Sequence, residues 1–179
     1  IPCNGIIDCL LPELDKILSK LDGQTTDITV SEDNIILNSG EDVFTFQNLK
    51  DTFPTVETNK ADFICSINDF ATELKTQSEF RSKDELRLKF CGSFLEFTNS
   101  GLIITSTDCH KLKTTKLICT PRIEVNFILP AKSCKLIEQL KINSCDIYKQ
   151  DKNIIIRTLS NGYLLEFVCL ELDETYPDY

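Results

Sequence analysis

Asp146-Ile147-Tyr148-Lys149-Gln150-Asp151-Lys152-Asn153-Ile154-Ile155-Ile156 has an earlier counterpart in the chain. Asp27-Ile28 followed by Asn34-Ile35-Ile36 stands 119 positions ahead of Asp146-Ile147 followed by Asn153-Ile154-Ile155. In both places apolar residues alternate around a short polar turn, which is the pattern of a hairpin with one buried face. Asp51-Thr52-Phe53-Pro54 beyond the first copy is echoed by Thr175-Tyr176-Pro177 beyond the second. Common turn chemistry accounts for a shared Asn-Ile-Ile, but not for an aromatic-Pro exit after the third strand both times, so a repeated unit is expected.

Each copy carries a helix ahead of three strands, and in the first that helix comes at the start. Ile6, Ile7, Leu10, Leu14, Ile17, Leu18 and Leu21 form a helical stripe over Gly5 to Leu21, with Asn4 as N-cap and Pro12 kinking it or ending a first turn. Three short strands follow, around Ile28 and Val30, Ile35 and Leu37, and Val43 and Thr45, parted by the turns Ser31 to Asp33 and Ser39 to Asp42. A second copy is expected over 62–112: a strand at Asp62 to Ser66, a helix at Asn68 to Gln77, and strands at Glu85 to Cys91, Phe94 to Asn99 and Leu102 to Ser106. The third runs over 122–172: a strand at Arg122 to Leu129, a helix at Lys132 to Leu140, and strands at Asp146 to Lys149, Asn153 to Leu159 and Tyr163 to Leu172. Asn161-Gly162 between the last two is a strong hairpin signal. The turns are too short for parallel crossovers, so the fold class is α+β with antiparallel sheets built from repeated strand-helix-three-strand units.

A chain of 179 residues with 41% hydrophobic content can bury a core without disulfides or metal. No apolar run approaches the roughly 18 residues of a membrane span. The chain shows no signal-peptide pattern and begins without Met, so it reads as part of something longer, in the cytoplasm and away from membranes. Nine cysteines at 3, 9, 65, 91, 109, 119, 134, 145 and 169, an odd set without a C-x-x-C pair, read as small buried hydrophobes in a reducing compartment. The single histidine, His110, has only Cys109 beside it, so no metal is expected, nor any cofactor. Catalysis is not expected either: G-x-S-x-G, G-x-x-x-x-G-K and H-E-x-x-H are all missing, and adjacent strand residues such as Cys109 and His110 face opposite ways. A net charge of -9 argues against bulk electrostatic gripping of nucleic acid, although it leaves room for a local basic face.

Three segments, in order, carry a family resemblance: Ser106-Thr107-Asp108-Cys109-His110-Lys111-Leu112, then Ile128-Leu129-Pro130-Ala131-Lys132, then Leu172-Asp173-Glu174-Thr175-Tyr176-Pro177-Asp178-Tyr179. They resemble the TDGHRL, VPRK and FPDY signatures of bacterial DNA sliding clamps, the beta subunit of DNA polymerase III. The Arg87 to Gly92 run ahead of Phe94-Leu95-Glu96 is similar to the same family. The resemblance implies the DNA clamp fold, with sheets outside and helices lining an inner face. It also implies that 1–59 are the C-terminal half of a first domain and 60–179 a complete middle domain, with the third domain absent from this chain. Such a subunit self-associates into a ring around duplex DNA without regard to sequence. Lys132, Lys135 and Lys141 are the DNA-facing candidates; for each, a plain solvated helix face is the alternative.

The resemblance further implies a groove for short peptide motifs of the DNA polymerase and the clamp loader. It is formed by Thr107, Cys109, His110, Lys111, Leu112 and Pro177, with Arg87 and Phe90 from a neighbouring strand. Leu112 and Phe90 would hold apolar anchors while the polar residues orient the peptide. Two departures stand out. Cys109 replaces a glycine in a turn that calls for positive φ, and Lys111 replaces an arginine whose planar fork an ammonium does not copy. These departures keep open a second reading, a phage or mobile-element clamp-like module that binds partners without encircling DNA. Taken singly, His110 reads as a hairpin-end hydrogen-bonding residue and Thr107-Asp108 as an ordinary turn pair.

Overall fold

The computed structural model describes residues 11–20, 26–48, 56–160 and 162–178, the side chains from Asp15 onward. Asn4 as an N-cap, the first turns of the first expected helix, Cys3, Cys9, the exit Asp51 to Pro54 and Asn161 of the last hairpin lie outside the described residues. The chain divides into two compact units, Ile1–Thr55 and Val56–Tyr179.

The first unit holds a helix α1 (Leu11–Leu18) and strands β1 (Asp27–Val30), β2 (Asn34–Ser39) and β3 (Asp42–Gln47) in one antiparallel sheet of that order. Pro12 falls in the first turn of the helix, where the missing N–H would have no intrahelical acceptor anyway. Ile35, Leu37 and Phe46 are buried, with Ile17 of α1 and Phe44 packed on them.

The second unit contains two copies of one plan. The first copy comprises β4 (Asp62–Ile67), α2 (Phe70–Gln77), a 3₁₀ turn (Ser78–Phe80), α3 (Leu88–Cys91), β5 (Ser93–Thr98), β6 (Gly101–Thr107) and β7 (Leu112–Leu117). The second comprises β8 (Val125–Leu129), α4 (Ala131–Gln139), β9 (Cys145–Gln150), β10 (Asn153–Ser160) and β11 (Tyr163–Leu170). The sheets run β11-β10-β9-β4 and β7-β6-β5-β8, antiparallel throughout, so each copy lends its leading strand to the other's sheet. The two sheets are thereby equivalent in topology, as an approximate twofold requires.

Period decides what is buried. In β9 and β10 the core-facing Ile147, Ile154 and Ile156, with Ile64, Leu95, Phe97, Leu102 and Ile104, close on Phe70 and Leu74 of α2 and Ile137 of α4, while Ile155, between Ile154 and Ile156, is buried outside this cluster. Each such fully buried side chain contributes about 1.5–3 kcal/mol relative to exposure. The start of α2 meets the segment leaving α4: the N–H groups of Phe70 and Ala71 donate to the carbonyls of Asn143 and Ile142 at 3.0 and 3.1 Å. Asn143 Oδ1 accepts from the backbone and hydroxyl of Thr72, both at 3.0 Å, supplying the cap that Asp69 does not. Arg81 binds the copies together from the other side, donating to Ser93 Oγ at 3.0 Å and to Glu138 Oε1 at 2.8 Å, with side chains largely withdrawn from water.

One expected strand is corrected. Glu85 to Cys91 is a turn followed by α3, so Arg87 and Phe90 come from the start and middle of a short helix and not from a strand. Leu86, Leu88 and Phe90 mimic period two, but Leu86 and Leu88 face water and no strand pairs with them. The third strand of that copy is β7, beyond the Thr107 to Leu112 turn. Its inward residues, Lys113, Thr115 and Leu117, are mostly polar and gave no apolar alternation to read. Smaller shifts place the start of the leading strand of the last copy at Val125, not Arg122, and that of α2 at Phe70, not Asn68.

Candidate partner-binding site

The β6–β7 turn is built by two side chains. Thr107 Oγ1 donates to the Lys111 carbonyl at 2.8 Å and accepts the Cys109 N–H at 3.0 Å. Asp108 Oδ1 accepts the N–H groups of both His110 and Lys111 at 2.9 Å. Those two backbone bonds, His110 first, hold the Asp108 carboxyl below its usual value, with the nearby Lys111 ammonium adding to the effect. Cys109 takes φ of 73°, the left-handed conformation that a glycine adopts without steric cost. The turn expected to need positive φ therefore keeps it with a cysteine in place, and the network around it offsets a strain on the order of 1 kcal/mol.

Around this turn the candidate residues separate into two groups. Arg87, His110 and Lys111 line one open depression of about 540 Å³, together with Lys83, Asp84 and Asp108. Lys111 also lies over the Phe80 ring at 5.8 Å. Phe90 is half-buried and meets Tyr176 edge-on at 6.3 Å, while Phe94 stacks on the same ring at 4.7 Å. Pro177 follows directly, half-buried, and the exit segment is tied down by Leu172, whose N–H donates to Ile128 O at 3.2 Å. Thr107 is buried, Cys109 is exposed, and Leu112, paired opposite Thr107, is 43% exposed. Thr107, Cys109, Leu112, Phe90 and Pro177 do not line the polar depression.

The aromatic floor of Phe94 and Tyr176 escaped the sequence reading. Tyr176 was legible only as part of an exit motif, and the alternation of Phe94, Glu96 and Thr98 along β5 marks an outward face without saying that a ring covers it.

Lys132 and Lys135 are exposed on α4, opposite its buried Ser133, Cys134 and Ile137. Lys141 is exposed but lies beyond the helix at φ of 53°, in a Schellman-type ending where its own N–H and that of Ile142 return to Glu138 O and Ile137 O at 3.2 and 3.1 Å. Lys75 on α2, not singled out from the sequence, is also exposed; the buried Leu74 and Gln77 set its direction. Lys113, by contrast, is engaged with Glu73 at 3.0 Å. Burial alone would raise the Glu73 carboxyl, but hydrogen bonds from Lys113, Thr115 and Thr76 hold it below its usual value.

Among the described residues no group of three or more His, Cys, Asp or Glu is placed to hold a metal ion. Nor is any described helix long and apolar enough to cross a membrane.

No family model matches the chain. The chain is similar to the beta sliding clamp of Rickettsia bellii (strain RML369-C), 28% identical over 140 residues, which is 72% of this chain and 36% of that protein. Its fold matches the DNA polymerase III subunit beta of Pseudomonas aeruginosa with a TM-score of 0.75 at 23% identity, over 94% of this chain and 48% of that one. The sliding clamp of Bacillus subtilis gives a TM-score of 0.78 at 23% identity, over 93% and 45%. The beta clamp of Helicobacter pylori, in a crystal structure with a DNA ligase peptide bound, gives 0.74 at 15% identity, over 94% and 48%. The chain thus spans about a third of the sequence relative and less than half of each solved clamp. The fold is the DNA clamp fold, as the motifs implied, and the resemblance to bacterial sliding clamps read from those motifs stands.

Proposed function

We propose that this clamp-fold chain is a segment of a DNA sliding clamp, the non-catalytic processivity subunit of a replicative polymerase. Residues 1–59 are the C-terminal half of a first clamp domain and 60–179 the middle domain, with a third domain outside this chain. The complete protein closes with a second subunit into a ring around duplex DNA, in the cytoplasm on the nucleoid. A ring holds DNA by topology, so a few phosphate contacts from Lys132, Lys135 and Lys141 suffice, and the acidic net charge of -9 is no obstacle. For the same reason the 179-residue chain alone should bind duplex weakly and without sequence preference, near the 10⁻⁴ to 10⁻⁶ M order of non-specific binders.

The observation that carries this reading is the β6–β7 turn, in which Thr107 and Asp108 hold Cys109 in a glycine-like conformation and present His110, Lys111 and Leu112 on one edge. Polymerase and clamp-loader peptides dock there, their apolar anchors on Leu112 and the Phe90–Tyr176–Pro177 side, their polar groups toward Arg87, His110 and Lys111. Thr107 and Cys109 act through the turn rather than through a pocket wall.

Titration of the complete protein with a short peptide bearing apolar anchors tests the reading. Leu112→Ala should weaken binding roughly tenfold and His110→Ala less, while Lys135→Ala spares the peptide and reduces salt-dependent DNA contact. Wild-type affinity in Leu112→Ala, or loss of the peptide in Lys135→Ala, would overturn the site assignment.

A further inference from the structure

The twofold within 56–179 gives the candidate groove a counterpart on the same domain. In the first copy Phe94 pairs with Thr105 and Thr107 with Leu112; in the second Asp146 pairs with Arg157 and Leu159 with Leu164. With β5 matched to β9, β6 to β10 and β7 to β11, Leu164 stands where Leu112 does, Leu159 where Thr107 does, and Asp146 where Phe94 does. A depression of about 450 Å³ lies at this place, lined by Ser66, Asn68, Asp146, Arg157, Leu159 and Leu164 among others. That size falls within the range of about 300–1,000 Å³ typical of ligand sites.

Two features set it apart from a bland surface. Leu159 and Leu164 face each other across the hairpin while 79% and 68% exposed, an apolar pair that the fold leaves in water. The charge on the wall is also unbalanced. Arg157 is neutralised by Glu166, to which its Nε donates at 2.6 Å, and its guanidinium lies over the Tyr148 ring at 4.4 Å. Asp146 receives only the neutral Ser66 hydroxyl, at 2.6 Å, and no described cation forms a salt bridge with it. The first-copy groove differs in its balance: Arg81, Lys83, Arg87 and Lys111 outnumber Glu79, Asp84 and Asp108 on its wall, although Arg87 and Lys111 each lie beside a carboxylate.

We propose that this depression is a second docking cleft, for a short extended peptide whose apolar side chain seats on Leu159 and Leu164 and whose neighbouring Lys or Arg meets Asp146. The choice of a peptide rests on the reading of the first groove given above; the exposed leucine pair and the lone carboxylate stand apart from it. The cleft and the groove select opposite flanking charges, so one domain engages two different segments without competition.

Fluorescence anisotropy on the 179-residue chain decides the matter, with fluorescein-labelled Gly-Lys-Leu-Phe-Lys-Gly as probe and Gly-Glu-Leu-Phe-Glu-Gly as its charge-reversed control. The Lys peptide should bind saturably, more tightly than the Glu peptide. Leu159→Ala with Leu164→Ala should weaken it roughly tenfold, and Asp146→Asn, which keeps an acceptor for Ser66, roughly threefold. Leu112→Ala should leave it unchanged. Both leucines are exposed, so the paired substitution leaves the core intact, and circular dichroism verifies that. No saturation below about 1 mM, equal binding of the two peptides, or a loss caused by Leu112→Ala and not by the leucine pair would overturn the proposal. A failure of the first-groove reading shows separately, as insensitivity of anchor peptides to Leu112→Ala in the complete protein.

Discussion

The β1–β3 sheet and the β9–β11 sheet are copies of one sequence pattern, and they bury it differently. Ile35 and Leu37 are as deeply buried as their counterparts Ile154 and Ile156, but Ile28 is 56% exposed where Ile147 is fully covered. Ile28 pairs with Leu37, and Val30, 46% exposed, pairs with Ile35, so both lie on the core face and not on the solvent face. The difference lies at the edge. β9 has β4 beyond it, Cys145 opposite Ile67, whereas no strand lies beyond β1 among the described residues. The repeat therefore makes a core face wider than its own helix covers, and the remainder is covered only by a complementary copy.

Shortening the two isoleucines should separate the two sheets most clearly. Ile147→Ala should cost about 2–5 kcal/mol of stability in urea unfolding of the whole chain, whereas Ile28→Ala should cost less than about 1 kcal/mol. Similar costs would mean that Ile28 is covered after all. Amide hydrogen exchange sharpens the contrast along the backbone: the amides of Ile154–Ile156 should exchange at least tenfold more slowly than those of Ile35–Leu37, because the smaller unit opens at lower free energy. Exchange at equal rates would indicate one cooperative block.

Single thiols report the same contrast more finely. Burial pushes Cys145, which opens β9, up to about 12 and Cys169 of β11 up to about 11, and it raises Cys65 further still. Cys109 is exposed. Among the seven described cysteines, a disulfide reagent at neutral pH should therefore modify Cys109 first and reach Cys145 and Cys65 only on unfolding, as mass mapping of the labelled peptides would reveal. Early labelling of Cys145 would mean that the complemented half is looser than drawn.

The smallest effect belongs to the Asp108 turn, whose place is taken in the second copy by a two-residue connection at Gly162. Its carboxyl is held below the usual 3.8, so it supports the turn fully above that value and the support is lost as pH falls through the lower folded value. In an acid titration the amide resonances of His110 and Lys111 should move with a midpoint below 3.8, and Asp108→Asn should abolish that transition. A midpoint at or above 3.8 would remove the hydrogen bonds from the account.

Legibility followed the strength of the periodic signal. The isoleucine runs of β2 and β10, each set off by a polar turn, located two hairpins, and Pro130 located the start of α4. The strand β7 was missed because its inward Lys113 finds a carboxylate in Glu73 and its inward Thr115 is half-covered; a polar residue facing inward is invisible until its partner is known. The opposite error came from Leu86 and Leu88, apolar at strand spacing yet turned to water. Of the site, the turn residues were readable from their order and Arg87 was grouped with His110 and Lys111 through the resemblance, but its place at the start of α3, and not on a strand, was not readable. The acceptance of φ of 73° by Cys109 was not readable either, since it depends on the hydrogen bonds of Thr107 and Asp108.

Because each copy lends its leading strand to the other, β4 has no place in a sheet until β9 exists, and Ile67 waits for Cys145. At ribosomal speeds of roughly 5–20 residues per second, the 78 positions between them correspond to about 4–16 s of synthesis. During that interval Ile64, Cys65 and Ile67 form a nascent strand edge with no native neighbour, while the local β5–β6–β7 meander is free to zip up. The interval between those two events is when a holdase would have most to protect in this chain.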